Sequence, residues 1–567
     1  MSSPVSHLPV PALEQTLAQY LDAVAPLLGD AEYARTTGVV VEFARGDGPA
    51  CQAELERFAE QENAEGRSWL SNAWFSAYLT GRSPLTLSTS VGFELNWPPV
   101  AGDGWTLAAD VLHRLAAAHL AYVRGEIEQA YTPRGTPLCM QQWHYLAGGI
   151  RHPLPDEDVF VPGSDDPANR EVAVLWRRRM FALRVTDESG RLLSLPAIEA
   201  ALRGLPHEPA SGSGFADVSY LGSEHAAGLL GELLELPANR STYERLTDAL
   251  FGFTIGEDAA DVDTQVRQLS FELGRAWAYK PVTYSVSLPD RFVGMHVEHS
   301  MMDGGTLKSA VALGRSVVPD ATPAPPAWVE ELAWQIDADL LGRIDAQSRH
   351  YAAAAADYRV RTLPVRTLPQ AEMPNRFSHD AGQQWVLLYA QLATYGRLRS
   401  TYEAVDMREY QAGRTECLRP NTVEAVALVT SLMAGDATSD QLQTAAAAHR
   451  ERVIACKTGQ SIDRHLLGLW LSAQRLGLTP EIFTDVAYGR LTRDFLSTTS
   501  LGDQTDIVRY GFAPSIAEGI GVDYTALDGA YEFTLSYRED HVERMDDFIA
   551  NLHAGAAALF GLIASAR

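Results

Sequence analysis

The segment Glu298-His299-Ser300-Met301-Met302-Asp303-Gly304-Gly305 sets a histidine four residues before an acid and five before a pair of glycines. Free imidazole titrates near ~6.5, so at neutral pH it can take a proton from a hydroxyl or a thiol, a service typically worth roughly 10²- to 10⁴-fold in rate. Asp303 is expected to close a local hydrogen bond that fixes the loop, and Gly304 and Gly305 to permit a positive-φ turn through which a substrate reaches the ring. The plainer use of the same residues is a strand-end histidine satisfied by Asp303.

Two apolar segments must carry that loop. Val282-Thr-Tyr-Ser-Val-Ser-Leu and Phe292-Val-Gly-Met-His-Val-Glu alternate or run apolar, with Pro289-Asp290 between them as turn material, and predict a hairpin that ends at His299. An H-x-x-x-D-G hexapeptide after a strand is how several acyl-transfer folds present a histidine base, which makes the chain a candidate acyltransferase. Further strands are expected at Ala173-Val-Leu-Trp, Phe181-Ala-Leu-Arg-Val, Gly519 to Tyr524 and Tyr531 to Tyr537. Helices are expected at Leu13 to Leu28, near Trp69, and at Ala327 to Ala355, Gln383 to Tyr395 and Asp463 to Leu476. A Pro- and Ala-rich passage, Val317 to Pro326, reads as a surface connection. Strands and helices in both halves imply two α/β layers of similar kind.

With 567 residues the chain has room for two domains or more, and 46% apolar with 21% charged residues is ordinary for a globular protein. No apolar run approaches the roughly 18 residues a bilayer span needs. Met1-Ser-Ser-Pro-Val-Ser-His lacks the basic and apolar regions of a secretion signal, so the expected location is cytoplasmic. Four scattered cysteines (Cys51, Cys139, Cys417, Cys456) indicate neither a zinc site nor a disulfide framework, and no metal is called for. A net charge of -26 speaks against nucleic acid and anionic membrane as partners, and repels acidic carrier proteins unless a basic patch is concentrated somewhere. Three lysines (Lys280, Lys308, Lys457) stand against 43 arginines, so arginine does almost all basic work. Neither a P-loop nor a G-x-G-x-x-G behind a clear strand is found, which leaves nucleotide hydrolysis and dinucleotide redox chemistry without support.

Further blocks are distinctive. They are Leu8-Pro-Val-Pro-x-Leu, Ser400-Thr-Tyr-Glu-Ala, Gly413-Arg-Thr-Glu-Cys-Leu-Arg419, Ile462-Asp-Arg-His-Leu-Leu-Gly-Leu469, Leu496-Ser-Thr-Thr-Ser500, Gly511-Phe-Ala-Pro and Gly519-Ile-Gly-Val. Together with Glu-His-Ser-x-x-Asp-Gly, and in this order, they closely resemble the choline/carnitine acyltransferase family from about residue 8 to about 560. The resemblance implies an α/β fold of two chloramphenicol-acetyltransferase-like domains, each with mixed sheets flanked by helices, and an active-site tunnel between them. One domain would span 63–340 and carry the histidine; the other would combine 1–62 with 341–567.

Residue by residue, the resemblance makes His299 the catalytic base, Asp303 the acid that follows it, and Ser500 the hydroxyl that supports the oxyanion, with Thr498 in place of the family's first serine. Losing one such oxyanion hydrogen bond commonly costs about 3 kcal/mol. Tyr402, Thr415 and Arg464 fall on the positions that hold the carnitine carboxylate, where a guanidinium fork suits the chemistry. Choline-specific members lack that arginine, so Asp463-Arg464-His465 implies carnitine or a similar carboxylate-bearing alcohol. Read without the resemblance, Arg464 is an ion-pair partner of Asp463 or Glu416. Phe512 matches an aromatic beside the trimethylammonium group. Trp74 and Tyr78 resemble two further acceptor-side aromatics with spacing that differs by one residue; core packing is the ordinary role of such a helix face.

Two positions depart from the family. The lysines that contact the 3′-phosphate of coenzyme A are replaced by Pro369 and Met373, with Arg366 and Arg376 close enough in sequence to substitute. Asp380 and Glu403 match residues near the pantetheine and nucleotide portions. Tyr510 occupies the position that limits acyl-pocket depth, which favours short acyl groups. The implied activity is therefore transfer of a short or medium acyl group between a thioester and carnitine, without an acyl-enzyme and without a bound cofactor, acyl-coenzyme A being a co-substrate. The alternatives are a biosynthetic transferase fed by acyl-pantetheine on a carrier protein, or one with another hydroxyl or amine acceptor. A non-catalytic binder of acyl-carnitine or acyl-thioester has no use for a base beside an oxyanion donor.

Overall fold

A computed structural model describes residues 5–565 other than 211 and 376. In chain order the strands are β1 (Val91–Leu95), β2 (Ile150–His152), β3 (Val159–Val161), β4 (Glu171–Trp176), β5 (Arg179–Arg184), β6 (Gly252–Gly256), β7 (Val282–Ser287) and β8 (Val293–Val297). They continue with β9 (Val329–Leu332), β10 (Tyr358–Arg366), β11 (Thr401–Asp406), β12 (Thr415–Leu418), β13 (Leu496–Thr499), β14 (Ile507–Phe512), β15 (Ile520–Leu527) and β16 (Ala530–Arg538).

Two mixed sheets result. One runs β14-β1-β8-β7-β6-β4-β5-β9, the other β10-β16-β15-β13-β11-β12, and β2 and β3 form a separate ribbon. Pairing is parallel at β4–β6, β6–β7, β11–β13 and β13–β15, and antiparallel at the hairpin β7–β8. In the larger sheet Val282, Tyr284 and Val286 of β7, with Val293, Met295 and Val297 of β8, turn toward the helices Gly104–Val123 and Gly304–Ser316. Every residue of β7 and β8 is buried, so the alternate face, with Thr283, Ser285, Ser287 and His296, is covered as well.

β14 belongs in sequence to the second half yet pairs antiparallel with β1, setting Phe93 opposite Tyr510 and Val91 opposite Phe512. Since β1 also pairs with β8, this strand brings Tyr510 and Phe512 next to the end of the histidine hairpin. The smaller sheet has its own core, in which Val522 and Tyr524 of β15 pack with Trp385, Phe548 and Leu552.

Some expected elements shift. The first helix is Leu13–Val24 followed by a 3₁₀ turn, Ala25–Leu27, and the helix near Trp69 is Ser71–Leu79. The helix expected from Ala327 begins at Ala338, capped by the Asp337 side chain, because Val329–Leu332 is instead an edge strand on β5. Helix Met545–Ser565 is long and apolar enough, by length and composition alone, to cross a membrane. Asp546, Asp547, Asn551 and His553 interrupt its apolar sequence, so it does not form an unbroken apolar run. In the fold, its residues Phe548, Leu552, Leu559, Phe560 and Ile563 are buried in the smaller sheet's core.

Candidate active site

His299 lies two residues past the end of β8, half-buried, with its Nδ1 2.8 Å from the Met302 carbonyl oxygen. A carbonyl can only accept, so Nδ1 carries the proton and Nε2 is left as the acceptor, the state a general base requires. The ring stands edge-on to Tyr78 at 6.2 Å. The local bond expected from Asp303 is made by Met302 instead; the Asp303 carboxylate is 3.8 Å from Nδ1.

Asp303 is occupied elsewhere. Arg414 donates to it twice, Nε to Oδ2 at 2.7 Å and Nη2 to Oδ1 at 3.0 Å, and Gln142 Nε2 adds a third bond at 2.9 Å. The Gln142 carbonyl in turn accepts the Asp303 N–H at 2.8 Å. Burial acts to raise the Asp303 carboxyl, but the charge of Arg414 and the hydrogen bonds from Arg414 and Gln142 outweigh it and hold the group below the usual carboxylate range. Arg414 also binds the carbonyls of Ser300 and His299, at 2.6 and 2.8 Å, so one guanidinium fixes the loop from His299 to Asp303.

Glu298 is not a solvated strand end. It is fully buried, accepts from Arg151 at 3.0 Å and from the Ser300 hydroxyl, and Arg151 continues to Asp158 at 2.7 Å and to the Tyr78 carbonyl at 2.7 Å. Gly304 and Gly305 are the first two residues of helix Gly304–Ser316 and lack the positive φ expected of them. Their bareness serves close approach. A Cβ on Gly304 would lie 2.6 Å from Leu501, and one on Gly305 2.2 Å from the Arg408 guanidinium, both from the smaller sheet's half of the chain.

Tyr402, Thr415 and Arg464, which the family resemblance groups together, meet in the structure. Arg464, second residue of helix Asp463–Leu476, donates from Nε to the Thr415 carbonyl at 2.8 Å and from Nη2 to the Tyr402 hydroxyl at 3.1 Å; Tyr402 Oη and Thr415 Oγ1 are 3.4 Å apart. The ion-pair alternative is not realised as such. Asp463 pairs with Arg419, and Glu416 accepts the Arg464 main-chain N–H at 3.3 Å. Burial, aided by Asp463 and opposed by Arg464, pushes the Glu416 carboxyl up to about 7. Trp74 and Tyr78 are not mere packing. The Arg464 guanidinium lies 4.1 Å from the Trp74 ring centroid, and both aromatics face the cavity.

That cavity, about 360 Å³, is shared by the two halves of the chain. His299, Asp303 and Gly304 line it from one, and Tyr402, Thr415, Arg464, Thr499, Tyr510 and Phe512 from the other. A second cavity of about 430 Å³ adjoins it through Trp74, Tyr78, Ser88 and Thr89, with Leu467 and Trp470 beyond. Ser500 stands at the rim between Thr499 and Leu501, which do line the cavity; its hydroxyl accepts the Gly502 N–H at 3.1 Å and so keeps its own proton to donate.

Of the four residues expected on the thioester side, Asp380 and Glu403 meet in one buried cluster with Tyr524. Asp380 accepts from the Tyr524 hydroxyl at 2.8 Å and pairs with His449 at 2.9 Å, while Glu403 is buried and pushed well up by desolvation and by Asp380. Arg366 is exposed at the end of β10, and Arg376 lies outside the described residues. All three lysines are engaged elsewhere: Lys280 with carbonyls, Lys308 with Leu501 and Asp503, Lys457 with Asp406 and Glu409. Among the described residues no cluster of His, Cys, Asp and Glu is suited to a metal.

Three residues escaped the sequence reading: Arg414, Gln142 and Arg151. Only Arg414 left a trace, as the neighbour of Thr415 in a block already singled out.

A model of the Choline/Carnitine o-acyltransferase family matches residues 8–554. Similar proteins include the carnitine O-acetyltransferase of Mus musculus, 26% identical over 94% of this chain and 88% of its own length. The peroxisomal carnitine O-octanoyltransferase of Bos taurus is 28% identical over 93% and 91%, and the mitochondrial carnitine O-palmitoyltransferase 2 of Rattus norvegicus 26% over 92% and 86%. Among solved structures, the wax ester synthase/diacylglycerol acyltransferase of Marinobacter aquaeolei VT8 aligns over 87% of this chain and 99% of its own at 12% identity, with a TM-score of 0.33. With His299 and the Arg464 guanidinium on one cavity and a family match over nearly its whole length, the chain belongs to the choline/carnitine acyltransferase family and is an acyltransferase.

Proposed function

We propose that the protein transfers a short or medium acyl group reversibly between coenzyme A and the hydroxyl of carnitine, with His299 as general base and no acyl-enzyme. The observation that carries this is the placing of the Arg464, Tyr402 and Thr415 group on the same cavity as His299. A carboxylate-bearing alcohol held by Arg464 presents its hydroxyl within one cavity of the free Nε2, so binding becomes proximity. His299 takes the hydroxyl proton as the oxygen attacks the thioester carbonyl; in reverse it takes the proton of the thiol. Ser500 donates to the oxyanion, and the intermediate collapses with loss of the thiolate, which is protonated by the imidazolium. Phe512 offers its face to the acceptor's ammonium. The expected setting is the cytoplasm, with small-molecule acceptor and thioester as partners and neither nucleic acid nor a bilayer.

The test is thiol release from acetyl- and propionyl-coenzyme A with L-carnitine, Arg464→Asn serving as control. Saturable release that weakens in the variant at low carnitine supports the reading. No release from folded protein overturns it in favour of a carrier-bound donor or another acceptor. The observation favouring that second reading is the donor end itself, where Pro369 and Met373 stand in place of the two lysines and Arg366 is exposed.

A further inference from the structure

Tyr510 lines the same cavity as Arg464. Its ring is almost wholly buried, packs against Phe93 at 5.0 Å between centroids, and sends its hydroxyl to Thr499 Oγ1 at 3.3 Å. Behind it lies Asp523, which is not part of the cavity wall. Asp523 sits directly opposite Thr499 in the parallel register of β13 and β15, and its Oδ2 accepts the Tyr510 main-chain N–H at 3.1 Å.

The other carboxyl oxygen, Oδ1, is buried and lacks a partner at full hydrogen-bonding geometry, although the carboxyl lies close enough to the Tyr510 hydroxyl to interact with it. Residues Ile520, Val522 and Tyr524 of β15 turn into the smaller sheet's core, so alternation sends Asp523 to the opposite face, toward β14. The surroundings there are polar. Arg509 contacts Glu94 and Glu532 at 3.1 and 3.3 Å, and Gln504 donates to Glu532 at 2.8 Å.

We infer that the acyl end of the cavity is closed in two layers, the Tyr510 ring and behind it the Asp523 carboxyl, so that Asp523 is a specificity-determining residue confining the donor to short acyl groups even when the ring is removed. The inference rests on the acyltransferase reading of this same cavity. An alkyl chain pushed past Tyr510 offers no hydrogen bond to Oδ1 and keeps water from offering one, so it meets a surface that disfavours it in either protonation state. Burial raises the Asp523 carboxyl well above its ordinary range, in keeping with a group cut off from solvent. A ring alone is a steric plug that truncation removes; a buried carboxyl behind it is not.

The experiment compares kcat/KM for octanoyl- and acetyl-coenzyme A with L-carnitine in wild type, Y510G, D523A and Y510G/D523A. Y510G alone is expected to change the octanoyl-to-acetyl ratio by less than about 3-fold, D523A alone likewise, and the double variant to raise it by about 30-fold or more. A Y510G ratio equal to that of the double variant overturns the inference, as does a wild type that already uses octanoyl groups well. If the double variant melts below assay temperature, Y510G/D523T keeps an oxygen for the main-chain N–H at position 510 and reads the same ratio. Binding of S-octyl- against S-ethyl-pantetheine, measured by calorimetry without acceptor, follows the same pattern whatever the acceptor or the nucleotide end. Loss of carnitine transfer with that pattern intact therefore counts against the proposed function, and loss of the pattern against Asp523.

Discussion

Asp303 and Arg414, 111 positions apart, meet in a two-point ion pair with distances of 2.7 and 3.0 Å. Asp303 opens the helix that follows the larger sheet's hairpin, and Arg414 precedes β12 of the smaller sheet, so the pair joins the two halves at the rim of the shared cavity. Because Arg414 also holds the His299 and Ser300 carbonyls, the position of His299 depends on a residue supplied by the other half.

Arg414→Lys keeps the charge but not the fork, and an ammonium cannot serve two carboxylate oxygens and two carbonyls at once. Turnover is expected to fall about 10- to 100-fold while the acceptor KM moves by less than about 3-fold. Steady-state kinetics separate the two, and an effect carried by KM alone would assign Arg414 to acceptor binding.

His299→Ala removes the free Nε2. The expected loss in kcat is roughly 10²- to 10⁴-fold, with acceptor affinity by calorimetry nearly unchanged. Retained turnover would sink the assignment of the base.

Arg464→Asn deletes the donors to the Thr415 carbonyl and Tyr402 and the charge that faces the acceptor. Charge-assisted hydrogen bonds are worth about 1.5–3 kcal/mol, so the KM for carnitine should rise roughly 10- to 100-fold. Choline, which has no carboxylate, should show no comparable rise; equal losses for both acceptors would point to general disruption of the cavity.

Glu416→Gln tests the buried carboxyl beneath Arg464. In the native state Glu416 binds its proton up to about 7, against an ordinary value of 4.5, so the folded protein holds more protons than the unfolded chain between these limits. The contribution is fully present below about 4.5 and is lost as pH rises through about 7, a difference of up to about 3 kcal/mol. Thermal melts should therefore show the variant gaining on the wild type from pH 5 to pH 8. A constant gap across that range would mean that the carboxyl is compensated when charged.

Much of this architecture is legible in local sequence. The alternation through Val282 to Val297 specifies a hairpin whatever surrounds it, because strand side chains have a period of two, and His299 must then fall at its end. Helix Asp463–Leu476 is likewise announced by buried Leu466, Leu469 and Ala473 at helical spacing and by Gly477 in the left-handed region after it. The contiguous blocks around Tyr402, Thr415 and Arg464 carry three residues that meet on the cavity. Tertiary structure decided the rest. That Asp303 binds Arg414 and Gln142 rather than His299, that Trp74 covers Arg464, that β14 crosses to the larger sheet and sets Tyr510 before Asp523, all depend on pairings between residues far apart in the chain. Such pairings follow from sheet register and from the meeting of the two halves, and leave no periodic signal in any local window. The glycines of the base loop show the limit clearly: composition suggests a turn, whereas their real constraint is the distance to Leu501 and Arg408.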